Sequence, residues 1–247
     1  MSNELAVQRV GLKEGILRRK VAFVTGAGRR IGKETSAPSN LSRPHLRLYA
    51  LCGVIAPIFF VLMVIVEGFL VPGYSHMSQQ MSDLGAYTLY GSYALLQNLN
   101  FCVSGILVVA FAIGLRHKLP ASRAITTSLG LFGAMFFLLG FFPDEPIPWP
   151  AAAHYLIAWA GGISILFSQF FAWRRLRRPR ADEGVDWTRY GRFSLVSLVL
   201  IVISFTIFAT FGQPGSPIRG LLQRVSEAFV LLWIEVMALR LLQLTKT

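Results

Sequence analysis

Six apolar runs alternate with short polar segments along most of this chain. A membrane-spanning helix takes about twenty mostly apolar residues, and Leu48–Val71, Ala94–Leu115, Ala124–Phe142, Ala151–Trp173, Phe193–Phe211 and Gly220–Leu242 come to about that length. The pattern predicts an all-α membrane protein: a six-transmembrane-helix bundle over residues 45–247, preceded by a basic, loosely ordered extension over residues 1–44. Only Glu67, Arg224, Glu227, Glu235 and Arg240 put a charge inside a run. Charges at that depth are costly and need a reason.

The polar segments differ sharply in charge. Ten Lys and Arg residues lie at or before Arg47, and Pro72–Tyr93 has none. Arg116, Lys118 and Arg123 follow the second run, and Pro143–Pro150 has none. Seven basic residues lie between Arg174 and Arg192, Gly212–Pro217 has none, and Lys246 stands near the C-terminus. The Lys/Arg bias of short loops sets orientation. The expected protein is therefore a multi-pass protein of the plasma membrane with cytoplasmic N- and C-termini, its three uncharged-to-acidic connections on the other face.

Composition supports the membrane class. Hydrophobic residues make up 54% and charged residues 15% of the 247, with a mean hydropathy of +0.55, whereas soluble domains carry about 25% charged residues. The net charge of +12 would suit nucleic acid if it formed one patch. Its placement between apolar runs makes nucleic acid an unexpected partner and the lipid bilayer the expected one. Arg174, Arg175, Arg177 and Arg178 are expected to meet anionic lipid headgroups. The pairs Gly130/Ala134, Ala158/Gly162 and Ser164/Ser168 have the spacing that packs membrane helices, within the bundle or in a homo-oligomer. Cys52 and Cys102 are expected unpaired, and the polar N-terminus does not read as a signal peptide.

What the charge count leaves unexplained collects on the non-cytoplasmic face. Ser82, Asp83, Asn98, Asp144, His154, Arg224 and Glu227 form the candidate polar cluster, with Tyr74, Ser75 and His76 from the same loop. Arg224 breaks the basic-inside pattern from about one turn into a helix, so a carboxylate partner is expected among Asp83, Asp144 and Glu227. Ser82-Asp83 ahead of Leu84 also reads as a helix cap or turn. The leading reading is a structural, sensing or lipid-binding protein in which the cluster clamps helix ends. The alternative is a carrier for a small solute or ion. A third reading uses His76, Asp83, Asp144 and His154 as zinc ligands that activate water in an intramembrane hydrolase; two histidines, with no pair at i, i+4, make it the weakest. No metal or cofactor is expected, and the balance is against an enzyme.

Two resemblances enter. Lys20–Glu34, KVAFVTGAGRRIGKE, resembles the first strand, glycine turn and helix start of the short-chain dehydrogenases, with Thr25, Gly26, Gly28 and Gly32 where that family cradles a dinucleotide and Arg30 in place of a frequent glycine. Such a site needs a full βαβ unit. Here Ser36–Pro44, SAPSNLSRP, breaks the chain, apolar sequence follows, and no Tyr-x-x-x-Lys pair exists. A truncated fragment without NAD(P) binding is expected, a fusion remnant or an upstream start. The rest, from about Leu48 to Leu242, resembles the bacterial and archaeal family named domain of unknown function 998. Pro57, PGYSHMSQQMSDLGA from Pro72, Asn98, Gly105, Phe142, Asp144, His154 and GLLQR from Gly220 to Arg224 carry the resemblance, which implies six membrane helices and no activity.

Overall fold

A computed structural model describes residues 42–119, 122–178 and 186–246. The described residues all belong to one compact unit, Leu41–Thr247. The dehydrogenase-like stretch Lys20–Glu34 and nearly all of the basic extension lie outside the described residues.

The described residues hold helices joined by turns, and no strand. Six long helices follow one another: α1 (Arg43–Leu70), α2 (Ala94–Lys118), α3 (Arg123–Leu139), α4 (Pro148–Leu176), α5 (Thr188–Phe211) and α6 (Arg219–Gln243). Each corresponds to one apolar run, and most extend beyond it, because a helix does not stop where the apolar residues do. Pro44 and Pro148 start α1 and α4 at N-terminal positions, where the missing N–H would have no intrahelical partner anyway.

α1, α4, α5 and α2, the last counted with the short turns ahead of it, are long and apolar enough to cross a membrane. α3 is shorter, at 17 residues, about 26 Å at 1.5 Å per residue. Turn hydrogen bonds from the Gly140, Phe141 and Phe142 amides to Phe137 and Leu138 carbonyls continue it by nearly another turn. α6 carries five charges and is the least apolar of the six, yet Trp233, Ile234, Met237, Ala238 and Leu241 are fully buried. Two of its arginines reach toward opposite ends. Arg224 reaches the loop after α1, while Arg240 donates to the Asp186 carbonyl and lies over Trp187 and Tyr190.

Sequential helices pack antiparallel, and α6 returns against α1, closing a ring. Phe60, Phe101, Phe132 and Phe136 form the aromatic core of α1, α2 and α3, with ring centroids 5.1–5.8 Å apart. The tightest helix approach uses different small residues from those the spacing picked out. A Cβ on Gly133 would lie 2.9 Å from the Gly105 carbonyl, and one on Gly53 would lie 2.6 Å from the Phe111 ring. Gly162, by contrast, has open space around it. Of the expected pairs, Ser168 does cross between helices, donating from α4 to the Ile125 carbonyl of α3 at 2.9 Å. The outside of the ring is apolar, with Leu62, Phe69, Leu131, Leu156, Ile203 and Phe211 exposed. That is the surface of a helical membrane bundle, whose backbone groups are satisfied within the helices.

With this up-and-down order the segments 71–93, 140–147 and 212–218 meet at one end, called here the lid end. Arg116, Arg123, Arg174 and Arg189 mark the other, the basic end. Both cysteines are free.

Candidate functional site

The loop between α1 and α2 is the longest connection at the lid end and is built from short turns. Gly73 starts it with a φ of 76°, open to glycine without strain. A 3-10 turn (Ser82–Gly85), a one-turn helix (Tyr87–Tyr90) and a second 3-10 turn (Gly91–Tyr93) follow. Such a segment leaves many main-chain groups without helical partners, and side chains from distant elements supply them.

Arg224, one turn into α6, is the largest supplier. Its Nη1 donates to the carbonyls of His76 at 2.7 Å, Gln79 at 3.0 Å and Gly220 at 2.9 Å. Its Nη2 donates to the Tyr74 hydroxyl and lies 3.1 Å from His76 Nδ1. The expected carboxylate partner is therefore a misreading. The guanidinium is held by loop carbonyls and a phenol, because the loop passes directly over the start of α6 while the carboxylates serve other donors. Glu227, one turn further along α6, takes no part in these hydrogen bonds.

Close approach depends on Gly220. A Cβ there would lie 2.7 Å from the His76 carbonyl and 2.8 Å from Arg224 Nη1. The Leu221 amide, one of the orphan donors at a helix start, donates to the Met77 carbonyl at 3.0 Å. Gln223 Oε1 accepts from the Met81 amide at 2.7 Å.

The α3–α4 connection grips the same loop. Asp144 accepts from the Ser82 hydroxyl at 3.0 Å. Glu145 accepts from the Tyr87 amide at 2.7 Å and from the Thr88 amide and hydroxyl, so one carboxylate caps the first turn of the Tyr87–Tyr90 helix. Asp83 accepts from the Gln80 amide at 2.8 Å, a turn contact of the kind expected from Ser82-Asp83. His154, buried at the start of α4, places Nδ1 2.7 Å from the Phe142 carbonyl and so ties α3 to α4. Asn98 donates to the Gly85 carbonyl at 3.0 Å; a Cβ on Gly85 would lie 2.6 Å from Asn98 Oδ1.

Electrostatics follow burial. Tyr74 is pushed up to about 12, chiefly by burial and against the pull of Arg224. His76 is lowered by burial and by the Arg224 charge. An arginine only donates, so Nδ1 of neutral His76 accepts and the ring proton sits on Nε2. Asp83 is raised, first by burial and then by Asp144, against its Gln80 hydrogen bond and the charges of Arg219 and Arg224.

Of the sequence candidates, Ser82, Asp83, Asn98, Asp144, His154 and Arg224 come together as one hydrogen-bonded lid, and Glu227 stands apart in the bundle. His76 and His154 serve separate partners. Among the described residues no three of His, Cys, Asp and Glu group as metal ligands. Glu145 lies on the face where the polar residues were expected, whereas Gln79, Gln223 and Gly220 were not among the candidates. Their role is to meet main-chain groups, which leave no mark in the sequence.

No curated protein and no solved structure matches the chain. The family model described as protein of unknown function, DUF998, matches residues 54–240, a stretch that holds every lid contact described above. The chain belongs to the DUF998 family of membrane proteins of unknown function.

Proposed function

We propose that this protein is a multi-pass component of the plasma membrane with both termini in the cytoplasm, closed on its non-cytoplasmic end by a fixed polar lid, and that it scaffolds, senses or binds lipid. One observation carries the reading. The Arg224 guanidinium is directed at main-chain carbonyls, Tyr74 and His76, and Asp83, Asp144 and Glu145 accept from amides and hydroxyls of the same loop. The groups that would perform chemistry are engaged in holding helix ends together.

Lipid contact at the basic end has two supports. Arg177 lies 5.0 Å over the Trp173 ring at the end of α4, beside Arg174 and exposed Arg178. A surface cavity of about 450 Å³ is lined by Arg43 and Arg47 together with Leu48 and Leu51, cationic groups above apolar ones, as a lipid headgroup and its acyl chain require.

Cysteine labelling of intact cells tests the orientation. In a background lacking Cys52 and Cys102, an impermeant maleimide should reach Ser92→Cys and miss Arg178→Cys; the reverse pattern would overturn the topology. The carrier reading is favoured by a separate feature, a buried carboxylate within the bundle.

A further inference from the structure

Glu67 lies in the last turn of α1, two turns beyond Phe60 on the same inward face. It is 1% exposed, and neither carboxylate oxygen has a hydrogen-bond partner. Asp144 and Glu145, the buried acids of the lid, found donors; Glu67, inside a span, did not. A buried charge without a partner is strongly disfavoured, and an unsatisfied buried group in a native fold calls for a specific reason.

The neighbouring layer of α2 is polar and neutral. Asn100 donates to the Phe60 carbonyl at 3.2 Å and to Gln97 Oε1 at 3.1 Å, and its own Oδ1 accepts from Ser104 at 3.3 Å. Gln97 is fully buried, and its Nε2 has no acceptor. The Phe60–Asn100 contact sets the register of two antiparallel helices. Toward the lid, Glu67 then stands about 10 Å above that contact and Gln97 about 4.5 Å above it, at 1.5 Å per residue. Side chains lean toward the N-terminus of their own helix. Glu67 therefore leans down from α1 and Gln97 leans up from α2, an orphan acceptor above an orphan donor.

The elements packed on this turn bring no cation that Glu67 pairs with. α2 presents Gln97, Asn98 and Asn100, all neutral. α6 presents Arg224, whose donors face the loop, and Glu227, another acid. The loop presents Tyr74 and His76; the imidazole packs on Gly68, next to Glu67, with Nε2 buried and without an acceptor.

We propose that Glu67 is a proton-binding carboxyl inside the membrane, below the lid, with the Gln97 Nε2 amide as donor to its carbonyl oxygen. The proton neutralises the buried carboxylate. The site depends on the membrane-spanning fold alone and holds whether the lid scaffolds, senses or gates.

Dicyclohexylcarbodiimide, an apolar reagent that modifies protonated carboxyl groups within membranes, tests this on the full chain in lipid nanodiscs, with adducts located by peptide mass spectrometry. Glu67 should be labelled at mildly acid pH and lose the label as pH rises. Additional protection by sodium or potassium chloride, but not by choline chloride, would show an alkali ion at the site and overturn the proton assignment. A label at Glu67 that is indifferent to pH would overturn the proposal, as would an unlabelled Glu67 beside labelled Glu227 or Glu235. Thermal unfolding gives a second readout. The wild type should shift with pH, and Glu67→Gln should lose that shift while remaining folded; identical shifts in both proteins would also overturn it.

Discussion

The guanidinium of Arg224 donates to the hydroxyl of Tyr74 across 150 residues of sequence and lies over the tyrosine ring, 5.7 Å from its centroid. With the His76 and Gln79 carbonyls that Arg224 also engages, this contact fastens the loop after α1 to the first turns of α6. The ring of helices is closed twice, once by apolar packing of α6 on α1 and once by this polar joint.

Arg224→Gln removes the charge and most of the donors while leaving the loop carbonyls in place. Hydrogen bonds to a charged group contribute about 1.5–3 kcal/mol each, and the loop can recover part of that from water. A loss of about 2–3 kcal/mol in detergent is expected. Arg224→Lys should recover little, because an ammonium group cannot reproduce the planar fork that reaches Tyr74 and the carbonyls together. Thermal unfolding monitored by tryptophan fluorescence, with size-exclusion recovery, measures both.

Gly220→Ala inserts a methyl against the His76 carbonyl and the Arg224 side chain. The backbone must move, at a cost of about 1–3 kcal/mol. Gly162→Ala is the control, since nothing lies within 4 Å of its Cβ position. It should be neutral or stabilising by up to about 1 kcal/mol through helix propensity. Equal effects of the two substitutions on the unfolding temperature would contradict the close approach at Gly220.

Glu145→Ala leaves the Tyr87 and Thr88 amides without their cap. Losing a cap costs about 1 kcal/mol, which raises the open population of the Tyr87–Tyr90 turn about fivefold. Chymotrypsin cleavage at Tyr87 and Tyr90 should rise by that factor where opening is fast relative to cleavage. An unchanged rate would show that the turn stands without Glu145.

Much of this fold could be read from the sequence, and the reason is physical. A bilayer demands continuous apolar helices, so Leu48–Val71 and its five successors announce themselves, and six helices appear where six runs stand. The membership of the lid was legible through unexplained polar residues. Its wiring was not. Arg224 was assigned a carboxylate because charge is visible in a sequence, whereas the carbonyls of His76, Gln79 and Gly220 are the same at every position and become specific only through chain path. Gly105 and Gly133 form no small-residue pair at helical spacing for a related reason: they sit on two different helices, and only the packing brings them together.

His76 and Asp83 give the lid opposing pH responses. His76 is lowered from its ordinary 6.5, so the unfolded chain takes up its proton first. The stability His76 contributes is present above pH 6.5 and is lost as pH falls toward its folded value. Asp83 is raised from its ordinary 3.8. Its contribution is present below that value and is lost as pH rises through its folded value. Unfolding temperatures of wild type, His76→Gln and Asp83→Asn across pH check this. His76→Gln should flatten the decline below pH 6.5, and Asp83→Asn should remove the decline on the rising side. A wild-type curve superimposable on both variants would contradict the assignment.

The most direct test of the fixed lid is amide hydrogen exchange of residues 72–93 in nanodiscs. The Gln80, Met81, Tyr87 and Thr88 amides have side-chain acceptors from Asp83, Gln223 and Glu145. They should exchange slowly in the wild type, and quickly once Arg224→Gln releases the loop. Exchange at free-peptide rates in the wild type would contradict the account, because the loop would then be an open connection between α1 and α2.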